Sequence, residues 1–172
     1  MSQNRFNQNR FKRKTFKKPE EMKTKTGTSL KNYCYWLLAR RDYGRQELID
    51  RLNRYAADEA EVIQLVDELE TNKYVDDGRV ANSMLNSEIY KGNGPRKIQQ
   101  AFQKKKVDME LVEEKLDEID WFQQAYDLKV KRFGEKVATD QKDKAKQIRF
   151  LQYRGFSLDV IFKVVGHIPE DF

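Results

Sequence analysis

Apolar residues along most of the chain recur with the spacing of amphipathic α-helices. In the first such segment Leu30, Cys34 and Leu37 lie on one face of a helix, with polar residues between them. No segment alternates apolar and polar residues in the way that a half-buried strand does. The pattern therefore predicts an all-α protein. Its helices are expected at residues 29–38, 45–55, 59–70, 79–91, 95–105, 109–119, 121–133, 142–154 and 158–165.

A repeat of 50 and then 49 residues groups these helices into three similar units. The repeat is visible in three apolar positions, Leu52, Phe102 and Leu151, and in three potential N-caps, Asp58, Asp108 and Ser157. We therefore predict three-helix repeats at residues 28–75, 76–119 and 120–172. Units this small cannot cover their own apolar faces, so they are expected to stack into an elongated, curved array. Such an array offers a long surface, which favours binding of a large partner over catalysis on a small molecule.

The residue two positions before each N-cap is expected to close the preceding helix in the left-handed conformation. These residues are Ala56, Lys106 and Gly155, and only glycine takes that conformation without strain. We therefore expect another kind of turn at Ala56 and Lys106.

The first 27 residues differ from the rest of the chain in composition and charge. They contain nine Lys or Arg, two acidic residues and no Leu, Ile or Val, so their net charge is +7 and that of the remainder is −1. With so little apolar surface to bury, residues 1–27 are predicted to be a disordered basic tail. Interleaved rings and cations suit both base stacking and phosphate contacts, although a merely solubilising tail fits the pattern equally well. The candidate nucleic-acid contacts are Arg5, Phe6, Arg10, Phe11, Lys12, Arg13, Lys14, Lys17 and Lys18.

Composition also excludes several classes of function. The single cysteine, Cys34, lies on an apolar stripe and is expected in the core. The single histidine, His167, has no cysteine or second histidine near it in the sequence. We therefore expect no catalytic residues, no metal, no cofactor and no small-molecule substrate. No apolar run is long enough to span a bilayer or to act as a secretory signal, which predicts a soluble cytoplasmic protein with no membrane partner. We also expect the protein to be a monomer. Trp36 and Trp121 lie on apolar stripes and are expected in the core, although a half-exposed tryptophan could instead anchor an interface.

Four separated motifs resemble the RecX family of regulators of the RecA recombinase. They are LLARRDYGRQELIDRL at 37–52, YVDDGRVA at 74–81, GNGP at 92–95 and RGFS at 154–157, and together the resemblance covers about residues 29–168. It implies a three-repeat helical protein that binds RecA and lodges in the groove of the RecA–DNA filament. It also implies inhibition of filament growth, ATP hydrolysis, strand exchange and co-protease activity, in recombination, DNA repair and the SOS response. The alternative function is that of a stand-alone nucleic-acid-binding protein acting through the tail and the basic clusters.

Basic residues form clusters within the repeats as well as in the tail. We expect these clusters to contact acidic RecA surface or filament DNA, whereas each residue taken singly also fits an ordinary solvated helix face. The candidates are Arg40, Arg41, Arg45, Arg96, Lys97, Lys104, Lys105, Lys106, Lys142, Lys146, Arg149 and Arg154.

Overall fold

The computed structural model of the protein describes residues 24–167, which fold into helices joined by short turns. The first group of helices is α1 (Gly27–Leu38), α2 (Arg45–Leu52) and α3 (Glu59–Thr71). The second is α4 (Asp77–Tyr90), α5 (Pro95–Lys105) and α6 (Glu113–Asp117), the last preceded by a 3₁₀ turn at Met109–Val112. The third is α7 (Trp121–Phe133), α8 (Gln141–Arg154) and α9 (Leu158–Gly166). No β-strand occurs within residues 24–167, so the predicted all-α class is confirmed.

Each group of helices encloses its own cluster of buried apolar side chains. Leu48 and Val62 belong to the first cluster, Phe102 to the second, and Leu151 and Ile161 to the third, and all are almost fully buried. The most extensive helix contacts lie within a group, as between α2 and α3 or between α7 and α9. The apolar positions that repeat along the sequence are thus the positions that fill three successive small cores.

The first group begins a little before α1. Lys25 pairs with the segment that follows α2: its N–H donates to the carbonyl of Tyr55 at 2.9 Å, and its carbonyl accepts from the N–H of Ala57 at 3.1 Å. Residues 25–27 therefore contact the first group, although the sequence assigned them to the tail. Residues 1–23, which hold every candidate nucleic-acid contact of the tail, lie outside the described residues.

Helix ends follow the predicted capping chemistry at some repeat positions and depart from it at others. Asp58 and Asp108 accept hydrogen bonds from the N–H groups of Ala60 and Glu110, whereas the hydroxyl of Ser157 makes no such capping bond. The expectation for Lys106 is wrong, because this residue closes α5 in the left-handed conformation with φ of 55°. An ion pair from its side chain, described below, accompanies this strained backbone.

Two of the residues expected in the core have different environments. Cys34 is fully buried as predicted, and burial raises the pKa of its thiol to about 11, so it is protonated at neutral pH. Trp36, in contrast, is 49% exposed, and the guanidinium of Arg40 lies 3.9 Å from its ring centre. The prediction for Trp36 is therefore wrong. Trp121 packs against both the second and the third core clusters and so joins them.

Candidate interface along the second helices

The second helices of the three groups follow one another end to end. The end of α8 meets the start of α5: the N–H of Gly94 donates to the carbonyl of Arg154 at 2.7 Å, and the N–H of Arg96 donates to the carbonyl of Gly155 at 3.1 Å. A side-chain Cβ placed on Gly94 would lie 2.8 Å from the backbone of Gly155. Only glycine permits two backbones to approach this closely, so Gly94 and Gly155 fix the joint between the second and third groups, which we call the second joint.

The joint between the first and second groups, which we call the first joint, occupies the equivalent repeat position but is held by contacts between side chains. Lys105 Nζ lies 2.6 Å from Glu47 Oε1, and Lys106 Nζ lies 2.5 Å from Asp50 Oδ2, so the end of α5 is tied to α2. Arg41 donates to the same Glu47 carboxylate through its two terminal nitrogens, from Nη1 at 2.9 Å and from Nη2 at 2.8 Å. This joint therefore depends on charge where its counterpart depends on backbone hydrogen bonds.

The carboxyl groups at this joint titrate below their ordinary range. Burial raises the pKa of Glu47, but hydrogen bonds from Arg41 and Lys105 lower it by more, so the net shift is downward. The hydrogen bond from Lys106, followed by that from Gln46, lowers the pKa of Asp50. A carboxyl group with a lowered folded-state pKa stabilises the fold above its unfolded-state pKa, and this contribution is lost as the pH falls through the folded-state pKa.

Glu47→Gln is therefore expected to lower the free energy of unfolding at neutral pH. The expected loss is only about 1 kcal/mol, because the Glu47 side chain is partly exposed and solvent weakens its ion pairs. Chemical denaturation of both proteins at a series of pH values measures the difference, which should disappear in acid once Glu47 of the wild type is protonated. Glu68→Gln is a matched control, because Glu68 makes only an exposed pair with Lys31 at 3.5 Å. A difference between wild type and Glu47→Gln that persists unchanged in acid would contradict this role.

A stripe of cationic side chains runs along these three helices and the turn after α2, and we call it the cationic stripe. It consists of Arg51, Arg54, Lys97, Lys104, Lys142, Lys146 and Arg149. On α8 its members and Tyr153 recur every three or four residues, which places them on one face. Lys97 and Lys104 are seven residues apart and likewise share a face of α5.

Two observations place members of the cationic stripe close together across the joints. At the second joint, Lys97 Nζ of α5 lies 4.1 Å from the ring centre of Tyr153 on α8. At the first joint, Lys104 shares an open cleft of about 390 Å³ with Arg51 of α2 and with Arg54, which lies in the turn after α2. The acidic residues nearby, Glu47, Asp50 and Asp143, are each paired with a lysine, so they only partly offset the positive charge.

The structure separates the predicted basic residues by what they contact. Several are held within the protein: Arg45 pairs with Asp67 at 2.7 Å and Glu70 at 2.8 Å, and Arg154 donates to the carbonyl of Lys91 at 2.7 Å. Arg41, Lys105 and Lys106 belong to the first joint. The others lie along the outer surface, and of these Arg96, Lys97, Lys104, Lys142 and Arg149 form no ion pair with any residue in the range 24–167.

One buried lysine is not among the residues predicted from the sequence. Lys129 is fully buried in α7, and its ammonium group donates to the carbonyls of Glu135 at 2.8 Å and Lys136 at 3.2 Å. Burial lowers the pKa of this lysine. The interaction holds the segment that joins α7 to α8. The regular apolar spacing of α7 gave no signal for it.

Sites of other kinds are not formed by the described residues. Between Thr24 and His167 no three side chains of the metal-binding types come together. None of the helices in that range is both long enough and apolar enough to cross a membrane.

Three successive helical groups with an open charged face define a tandem helical array of the kind that binds other macromolecules. Models of the RecX family match two of these groups: the second three-helix domain of RecX at residues 76–116 and the third at residues 118–165. The protein belongs to the RecX family.

Individual relatives agree with this assignment. The regulatory protein RecX of Acinetobacter baylyi is 51% identical over 146 residues, which cover 85% of this chain and 92% of that protein. The regulatory protein RecX of Vibrio campbellii is 38% identical over 148 residues, covering 83% and 94% respectively. The crystal structure of RecX from Lactobacillus salivarius has the same fold, with a TM-score of 0.67, 20% sequence identity, and coverage of 79% of this chain and 92% of that one.

Proposed function

We propose that this protein binds RecA and the RecA–DNA filament and inhibits filament growth, ATP hydrolysis, strand exchange and co-protease activity. The observation that carries the proposal is family membership: two successive modules match RecX models, and a regulatory protein RecX is 51% identical over most of both chains. A regulator of this kind acts by binding and catalyses no reaction of its own. It would act in the cytoplasm, where RecA and DNA meet.

The cationic stripe is the surface that we propose for RecA. Its outward cations are carried by helices whose relative positions are fixed at both joints, so a partner meets a preformed charged face. Complementary charge raises the rate of association and sets orientation, and a long filament offers such a surface repeatedly. Binding through this face should weaken as salt is raised, because exposed charge pairs are screened.

The test is the DNA-dependent ATPase of RecA, measured while the purified protein is added at substoichiometric ratios. We expect ATP hydrolysis to fall well before one regulator is present per RecA, because one bound regulator blocks growth of a filament of many subunits. Hydrolysis that stays constant up to an equimolar ratio would contradict the proposal.

The tail offers the alternative of direct nucleic-acid binding, and deletion of residues 1–23 separates the two functions. The deletion leaves Lys25 and its hydrogen bonds to the segment after α2 in place. We expect the shortened protein to retain inhibition of the RecA ATPase while its affinity for DNA alone falls, since the tail supplies phosphate contacts. Inhibition that is lost together with DNA binding would instead favour the stand-alone nucleic-acid-binding function.

A further inference from the structure

A second basic surface lies at the joint between the second and third groups. It is an open cleft of about 320 Å³ bounded by the end of α4, α7 and the end of α8. Two aromatic rings, Tyr90 and Phe150, and four cations, Lys91, Lys131, Arg132 and Arg154, line it. None of the described residues lining the cleft is acidic.

The two aromatic rings of this cleft differ from those of an ordinary solvated helix face in their exposure and in how they are held. Tyr90 is 94% exposed at the last position of α4, so both faces of its ring are available for contact. Phe150 is half-buried and held edge-on by Phe133, with ring centres 5.4 Å apart, while the guanidinium of Arg154 lies 5.6 Å from the ring. One ring is thus open for stacking and the other is fixed at the wall of the cleft.

The cations of the cleft are only partly used within the protein. Lys91 pairs with Glu88 at 2.6 Å, and Arg154 donates through Nη1 to the Lys91 carbonyl, but Arg154 Nε is buried without a hydrogen-bond partner among the described residues. Lys131 and Arg132 are exposed on α7 and form no ion pair within residues 24–167. Among the described residues, the cleft therefore has positive charge that no acidic side chain neutralises, and this charge lies beside an exposed ring.

We infer that this cleft, referred to here as the joint cleft, binds a short stretch of single-stranded nucleic acid. Phosphates contact Lys131 and Arg132, and an unpaired base stacks on Tyr90. Exposed rings beside a cationic groove are the combination that single strands use, because every base offers a flat face and every nucleotide a charge. An acidic protein segment would satisfy the cations but has no use for the open ring, and a duplex would keep its bases stacked inside.

The experiment measures fluorescence anisotropy of a labelled oligothymidylate of about 20 nucleotides, titrated with the full chain in the absence of RecA. Tyr90→Leu keeps the charge of the cleft and removes the ring, and it should weaken binding by about ten-fold. Tyr74→Leu is the matched control, because Tyr74 is 60% exposed in the turn after α3, outside the residues that line the cleft, and should be replaceable with no change in affinity. The basic tail is present in every protein compared, so its contribution cancels.

The double variant Lys131→Gln, Arg132→Gln tests the phosphate contacts separately. It should weaken binding and reduce the slope of log affinity against log salt by about 1.4, the value for two single-strand phosphate contacts. Lys73→Gln with Lys163→Gln removes the same charge from exposed positions elsewhere and should leave the slope unchanged.

Three results would overturn the inference. The first is equal affinity of Tyr90→Leu and wild type for the single strand, and the second is an equal loss of affinity for a duplex of the same length. The third is displacement of the strand by poly-glutamate at equal charge concentration, which would assign the cleft to an acidic protein. Because RecA is absent throughout, failure here leaves the proposed regulation of RecA intact.

Discussion

Gly155→Ala is expected to lower the free energy of unfolding by about 2–4 kcal/mol, the largest effect of any single-residue change proposed for this protein. Gly155 has φ of +89°, and an added Cβ would lie 2.7 Å from the backbone nitrogen of Lys97 and 2.9 Å from its Cβ. The substitution therefore adds backbone strain and also forces α8 away from α5. Chemical denaturation of the variant and the wild type measures the loss.

Gly134→Ala is the matched control for this prediction. Gly134 has nearly the same backbone conformation, with φ of +85°, but an added Cβ would meet no atom within 4 Å. Its loss should be limited to the left-handed strain of about 1 kcal/mol. Equal losses for the two variants would show that the close approach of Gly155 to Lys97 contributes nothing to stability.

Charge reversal on the cationic stripe is the second change with a large expected effect. Lys104→Glu combined with Arg149→Glu should weaken inhibition of the RecA ATPase by at least about ten-fold, because two attractive contacts become repulsive on different helices. Neither side chain forms an ion pair within residues 24–167, so the free energy of unfolding should stay within about 0.5 kcal/mol of wild type. The measurement is the concentration of regulator that halves ATP hydrolysis.

The control for this prediction carries the same change in net charge elsewhere. Lys73→Glu with Lys163→Glu alters two exposed lysines that follow or lie on the third helices of their groups. This variant should inhibit nearly as well as the wild type. If both double variants lose inhibition to the same extent, net charge and not the cationic stripe determines binding.

Lys105 and Lys106 are poor choices for such an experiment, although they are neighbours of Lys104. Both are engaged with α2 through Glu47 and Asp50. Reversing them would disturb the first joint and binding together, so a loss of inhibition would not identify a contact. Distinguishing Lys104 from its two neighbours required the structure.

The helical class could be predicted because it depends on local spacing. Leu52, Phe102 and Leu151 recur with the period of the repeat, and all three are buried. Asp58 and Asp108 could be identified as caps for the same reason, since capping involves only neighbouring residues. Trp36 was misassigned because a residue at the edge of an apolar stripe is covered only when another element packs there.

The joints and the two charged surfaces could not be predicted from spacing. The contact of Gly94 with Gly155 joins residues far apart in the chain, and the left-handed Lys106 depends on a tertiary setting that overrides its local preference. In the sequence, Tyr90 has no feature that marks it as part of a site. The structure shows that Tyr90 and Phe150 line the same cleft. A list of basic residues gives the composition of a surface but not which of them remain accessible.

Site-specific crosslinking tests the central claim most directly, since it asks whether RecA contacts the second helices. A photoreactive residue would replace Lys104 or Arg149 in one set of proteins and Ile63, an exposed residue of α3, in another. With RecA assembled on single-stranded DNA, positions 104 and 149 should crosslink to RecA and position 63 should not. Crosslinking from position 63 alone, or from none of the three while the ATPase is inhibited, would contradict binding through the cationic stripe.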